Sequence, residues 1–136
     1  MAERDYGHRD VVDKLNIRPG YAVVFAYEAG EIDVALRERI VDRAGRAPAL
    51  EDEAVDVVLV STDAATNFIE VLKSWRLRLK PNGGIWLLTP KRGQPGYVDQ
   101  RELIAAGLQA GVVDNKSCSV SPTTSAMRFV IRKRDR

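Results

Sequence analysis

An unbroken apolar run, Tyr21-Ala22-Val23-Val24-Phe25-Ala26-Tyr27, limits the folds open to this chain more than any other stretch. It does not alternate apolar with polar, so it does not read as a strand with one wet face. It is far shorter than the ~20 residues that a membrane-spanning helix requires. A continuous apolar run of this length is expected of a strand buried on both faces of a parallel sheet. Asp56 to Val60 and Ile85 to Leu88 repeat the pattern. Parallel strands need crossovers, and helix-like segments lie between these runs. With 136 residues, the chain is the size of one α/β domain over 1–136 with a core that needs no staples.

The remaining elements follow from local signals. Val11, Val12 and Leu15 share one side of a lead-in helix from His8 to Leu15, stopped by Asn16-Ile17-Arg18-Pro19-Gly20. Ile32, Leu36 and Ile40 mark a helix from Glu31 to Ala44, with Gly45 as its C-cap. Ala47 to Leu50 reads as a short strand, and Glu51-Asp52-Glu53 as an acidic loop. A helix from Ala64 to Leu79, capped by Thr62 or Asp63, is expected to bury Phe68, Leu72, Trp75 and Leu79. Lys80-Pro81-Asn82-Gly83 ends it in a turn. Lys91 to Gly96 is a Gly/Pro-rich loop, and Asp99 opens a helix that runs to Ala110 and stops at Gly111. Leu103, Ala106, Gly107 and Ala110 share a face of small residues, which predicts close helix–sheet contact. Val112 to Val120 and Ala126 to Lys133 are extended runs joined by Ser121-Pro122-Thr123-Thr124-Ser125, hence an antiparallel hairpin at one edge. The predicted fold class is α/β, with a mostly parallel sheet and a C-terminal antiparallel hairpin.

Composition then removes several chemistries. Cys118 and His8 are the single cysteine and the single histidine. Together they cannot build a Cys/His zinc site, and Cys118 alone closes no intrachain disulfide. The charged start, Met1-Ala2-Glu3-Arg4-Asp5, has no apolar stretch behind it, so no signal peptide is expected. A lone thiol without an export signal points to the cytoplasm, and no membrane partner is expected. Basic and acidic residues number 21 and 19, which gives no global field for nucleic acid, so that partner is not expected. His8 reads as a surface residue, Cys118 as a buried inert thiol, and Arg132 to Arg136 as a solvated basic tail. Asp114-Asn115-Lys116, polar inside a strand run, reads as a bulge or an edge strand.

Three segments resemble a class I methyltransferase. These are Leu15-Asn16-Ile17-Arg18-Pro19-Gly20 before the first strand, Asp56-Val57-Val58-Leu59-Val60-Ser61, and Leu79-Lys80-Pro81-Asn82-Gly83-Gly84-Ile85-Trp86-Leu87-Leu88-Thr89-Pro90. Their order implies a three-layer, Rossmann-like frame. A closer resemblance spans roughly Lys14 to Lys133. Val112-Val113-Asp114-Asn115-Lys116, Ser125-Ala126-Met127-Arg128-Phe129-Val130 and Pro90-Lys91 look like a small bacterial family, domain of unknown function three-zero-five-two. Thr124 stands where that family would place an aromatic residue. This resemblance implies a fold and no reaction.

The methyltransferase resemblance implies an S-adenosylmethionine site, and the residues that would form one are thin. The loop after the first strand, Tyr27-Glu28-Ala29-Gly30, has one glycine where that fold uses about three to let backbone approach the cofactor. Glu51 or Asp52 stands where an acidic ribose ligand is needed, or is simply a solvated loop residue. Only about thirty residues separate the first strand from Asp56, so a strand–helix unit of the full fold is expected to be missing. The candidate ligand site therefore lies at the carboxyl ends of the strands, where open α/β sheets bind. It comprises Tyr27, Glu28 and Gly30; Ser61, Thr62 and Asp63; and Thr89, Lys91 and Arg92. Lys91 and Arg92 could clamp a small anion, helped by amides at the helix start after Asp63. Ordinary loop polarity, with Asp63 as a cap and Glu28 paired to Lys91 or Arg92, accounts for the same residues. No cofactor is required by the pattern and no catalytic residue is assigned. The reading is a non-catalytic ligand- or protein-binding module, with a homodimer through an exposed edge as one partner. The alternative is an enzyme that uses S-adenosylmethionine or a nucleotide in a reduced pocket.

Overall fold

The computed structural model describes residues 11–136. The first part of the predicted lead-in helix, with His8, lies outside these residues. Within them, residues 11–14 are helical, and Val11, Val12, Leu15 and Ile17 are buried.

Five strands form one sheet in the order β1-β2-β3-β5-β4. They are β1 (Val23–Tyr27), β2 (Val55–Ser61), β3 (Leu79–Pro90), β4 (Val113–Ser119) and β5 (Thr124–Val130). β1, β2 and β3 run parallel, with Val23 opposite Val57 and Val57 opposite Gly84. β5 runs antiparallel to both β3 and β4, with Ile85 opposite Phe129 and Val113 opposite Val130. The helices are α1 (Val34–Ala44), α2 (Phe68–Arg76) and α3 (Gln100–Ala110), and a 3-10 turn follows at Lys133–Asp135.

Alternation along the strands builds two cores. Val57, Leu59, Trp86 and Leu88 face α1 and the lead-in segment, where Leu36, Ile40 and Leu15 meet them. Val58, Val60, Ile85, Leu87, Met127 and Phe129 face α2 and α3. The frame is therefore three-layered, with helices on both faces of the sheet. The buried Trp86 donates its Nε1–H to the Leu15 carbonyl at 3.1 Å, which ties the lead-in segment to the central strand.

The helix ends follow their capping residues. The Asp33 carboxylate accepts from the Leu36 amide at 3.0 Å and starts α1 later than Glu31, while Gly45 closes it by donating to the Asp42 and Val41 carbonyls. Asp99 accepts from the Arg101 amide at 2.8 Å and starts α3, and Gly111 ends it. The expected small face of α3, Leu103, Ala106, Gly107 and Ala110, is buried against the sheet.

Four expectations change. β1 is an edge strand, and its middle residues are only half-buried; its apolar run is not buried on both faces, because no complete strand covers its outer side. Ala47 to Leu50 is not a strand; one bond, from the Ala49 amide to the Val23 carbonyl at 2.8 Å, holds it along the amino end of β1. That bond carries the chain round the edge of β1, so α1 and α2 lie on opposite faces although β1 and β2 are neighbours. α2 begins at Phe68 with Asn67 as its cap, not at Ala64 under Thr62 or Asp63. Leu79 is buried in β3 rather than in the helix, and the register jumps from Val55 opposite Leu79 to Val57 opposite Gly84 as 80–83 bulge out.

The polar cluster at Asp114-Asn115-Lys116 lies where β4 shifts register, on the outer edge of the sheet. A bulge and charged side chains blunt that edge against pairing with other chains. Among the described residues, no helix is long and apolar enough to cross a membrane.

Candidate ligand-binding crevice

Neighbouring strands whose helices leave to opposite faces open a crevice at their carboxyl ends, the usual ligand site of such sheets. Here that place lies between Tyr27 at the end of β1 and Ser61 at the end of β2, which are register partners. The chain bridges it. The amides of Glu28 and Ala29 both donate to the Ser61 carbonyl, at 2.9 and 3.0 Å, and the buried Ser61 hydroxyl donates to the Gly30 carbonyl at 2.9 Å. Gly30 has a φ of 70°, so the loop turns back over the strand end through a conformation that L side chains rarely adopt. Two backbone donors that a ligand would need are thereby satisfied internally.

The next strand end is closed in the same way. The Thr62 amide and hydroxyl both donate to the Leu88 carbonyl, each at 2.9 Å, and Thr62 is buried. Residues 63–66 form a self-bonded turn. The Asp63 carboxylate accepts from the Ala65 amide at 2.9 Å, the Asp63 amide donates to the Thr66 hydroxyl at 3.1 Å, and the Thr66 amide donates to the Asp63 carbonyl at 3.0 Å. The Ala64 amide donates to the Gly96 carbonyl at 3.0 Å, which docks the Gly/Pro-rich loop onto this turn. The amides expected after Asp63 are thus engaged, and they do not belong to the helix.

The two cations of the expected clamp diverge. Lys91 donates through Nζ to the Ser119 hydroxyl at 2.6 Å, toward the hairpin. Arg92 lies over the Tyr97 ring, 5.5 Å from its centre, and donates to the Tyr97 hydroxyl at 3.3 Å. Neither contact is the predicted pairing with Glu28.

Six of the nine candidate residues are distributed over three hollows; Gly30 and Asp63 border none of these, and Tyr27 stands exposed at the end of β1. Glu28 borders a groove of about 470 Å³ along α2, with Trp75 and Arg78. Ser61, Thr62 and Thr89 border a smaller one of about 160 Å³ between the α1 start and the hairpin tip. Thr89, Lys91 and Arg92 border a cavity of about 470 Å³ beside the start of α3. The sequence reading missed that last cavity's other walls, Tyr97, Ser125 and Met127. The antiparallel hairpin at one edge was legible; its pairing with β3, in a register that sets Ser125 opposite Thr89, was not, and that pairing supplies the Ser125 and Met127 walls.

An S-adenosylmethionine site does not fit these residues. The loop after β1 spends its amides on Ser61. Glu51 and Asp52 precede the start of β2, so they stand at the amino end of the sheet. A strand of five residues separates that end from the crevice by roughly 16 Å, so neither carboxylate reaches a ribose there. Glu53 is committed elsewhere, accepting from both terminal guanidinium nitrogens of Arg46 at 2.6 and 2.7 Å.

Cys118 is half-buried in β4, and burial pushes its thiol above the usual range, against the opposing fields of Lys14 and Lys116. A raised pKa leaves little thiolate at neutral pH, which suits an inert thiol rather than a nucleophile. In the basic tail, Arg136 folds back to donate to the Ile131 carbonyl at 2.7 Å.

The frame is that of the Rossmann-like methyltransferases. Mitomycin 7-O-methyltransferase MmcR superposes with a TM-score of 0.65 at 10% identity, over 96% of this chain and 56% of that one. A SAM-dependent methyltransferase from Aquifex aeolicus superposes with 0.56 at 13% identity, over 92% and 89%. A TehB-like SAM-dependent methyltransferase from Corynebacterium glutamicum gives 0.56 at 10% identity, over 93% and 88%. At these identities the likeness is one of fold. The chain itself belongs to the family described as "Protein of unknown function (DUF3052)", which matches residues 12–133. Uncharacterized proteins of Mycobacterium bovis and Mycobacterium tuberculosis are each 36% identical to it over 80 residues. Those 80 residues are 58% of this chain and 50% of each relative, so the chain spans about half the length of the curated relatives it matches.

Proposed function

We propose that this protein is a non-catalytic binding module of the cytoplasm, built on a methyltransferase-like frame and dispensing with the methyl donor. The observation that carries this reading is the bridge across the β1–β2 crevice, where Glu28, Ala29 and Gly30 are all bonded to Ser61. Opening that crevice for a cofactor would break three hydrogen bonds, each worth about 1 kcal/mol, before any ligand contact formed. The loss of a covering strand on β1 also leaves the adenosine side of such a pocket without a wall.

A thermal-shift and NMR titration with S-adenosylmethionine and S-adenosylhomocysteine tests the reading. A ligand that binds only the native state adds about 2.7 kcal/mol at a hundredfold excess over its Kd. The expected result at millimolar ligand is no change in Tm and no shift of the amides of 27–30 and 61–63. Saturable shifts confined to those amides overturn the reading in favour of an enzyme with a reduced pocket.

A further inference from the structure

We infer that the cavity between β3, β5 and the start of α3 is a binding site for a small organic phosphate. This rests on the non-catalytic reading above and gives it a ligand class. The cavity holds about 470 Å³, within the range of small-molecule sites. Its back wall carries two hydroxyls on one side of the sheet. Thr89 and Ser125 are register partners on neighbouring strands, and strand alternation puts both on the face of Leu87 and Met127, toward α3. Thr89 is 6% exposed, and what is exposed borders cavities. Neither hydroxyl is engaged by a hydrogen bond among the described residues, although Thr62, buried one strand away, spends its own on a carbonyl. Thr89 is a buried residue whose hydroxyl makes no bond within the protein and lines the cavity, where it is free to bond a ligand oxygen.

The charge of the walls is consistent with an anion. Lys91, Arg92 and Arg101 border the cavity against the single acid Asp99. Asp99 is already the α3 cap and lies 3.5 Å from Arg101, so its charge is partly spent. The positive end of the eleven-residue α3 faces the same space. Arg92, stacked on Tyr97, is held at the rim with two other nitrogens to offer. Donors on separate walls of one cavity, the Thr89 and Ser125 hydroxyls at the back and the Arg92 guanidinium at the rim, suit a phosphate, whose three acceptor oxygens point in different directions. The floor is apolar, with Val98, Leu103 and Met127, and methionine adapts to irregular shapes. That floor calls for a compact apolar or aromatic body behind the phosphate.

The test uses the full chain and phenyl phosphate as the probe, with inorganic phosphate, benzoate and phenol as comparators, read by NMR titration. The expected result is saturable binding of phenyl phosphate, tighter than any comparator, with shifts at residues 89–92, 97–101 and 125–127. Thr89→Val and Arg92→Gln are each expected to weaken it about tenfold, the loss of one hydrogen bond to a charged group. Arg134→Gln, in the exposed tail, leaves it unchanged. Ser125→Ala repeats the hydroxyl test at a half-buried position if the valine variant does not fold. Tighter binding of benzoate, affinity unaltered by the hydroxyl variants, or no binding overturns the inference. Shifts of 27–30 and 61–63 with S-adenosylmethionine would instead overturn the parent reading, so the two failures are told apart by where the spectrum moves.

Discussion

Ser61 donates its buried hydroxyl to the carbonyl of Gly30 at 2.9 Å, and its own carbonyl receives the amides of Glu28 and Ala29. One residue at the end of a strand thus holds three residues of the preceding strand's loop. Removing the hydroxyl in Ser61→Ala is expected to destabilise the protein by about 1 kcal/mol, since the freed Gly30 carbonyl can still find water. Hydrogen exchange at Glu28 and Ala29 is expected to quicken while Thr62 stays protected. Unchanged exchange at 28–29 would show that the loop is held by something else.

The start of α2 separates two residues that look alike in sequence. Asn67 accepts from the Glu70 amide at 3.2 Å, whereas Asp63 caps only its own turn at Ala65. Asn67→Ala is expected to lower stability by about 1 kcal/mol in urea titration and to expose the Glu70 amide to exchange. Asp63→Ala leaves the Glu70 amide as protected as in the parent protein.

Gly107 lies where α3 comes close to the sheet. A Cβ there would lie 2.6 Å from Cε2 and 2.8 Å from Cδ2 of Phe129, a ring with no exposed surface. Gly107→Ala is expected to cost about 2 kcal/mol through this overpacking, despite the better helix propensity of alanine. A Tm equal to or above that of the parent would mean that α3 can slide outward freely.

Acid stability has a specific source. The hydrogen bonds from Arg46, and then from the Leu50 amide, hold Glu53 down at about 2. A depressed carboxylate adds stability that is complete above its unfolded value of about 4.5 and is lost as pH falls toward 2. In Glu53→Gln, the decline of Tm between these limits is expected to flatten, and in the parent protein carbon-detected NMR is expected to show the Glu53 carboxylate still ionised at about pH 3. A Glu53 titration centred near its ordinary value would remove this pair from the account.

The elements themselves were legible because their signals are local. Apolar runs at 21–27, 56–60 and 85–88 announced parallel strands, Gly45 and Gly111 announced helix ends, and the small face of α3 announced close packing. The place of a ligand was legible only as a region. Thr89, Lys91 and Arg92 follow one another in sequence, yet their side chains part company, Lys91 to Ser119 and Arg92 to Tyr97.

Sequence alone decided that this chain is a mostly parallel α/β sheet with a closing hairpin, because periodicity and capping act over a few residues. Tertiary structure decided that β1 is an edge, that the crevice beyond it is bridged by Ser61, and that Thr89 of β3 lies opposite Ser125 of β5. Those relationships depend on register and on hydrogen bonds between residues tens of positions apart. No local pattern encodes them, because each is settled only when two separately specified elements compete for the same donors and the same space.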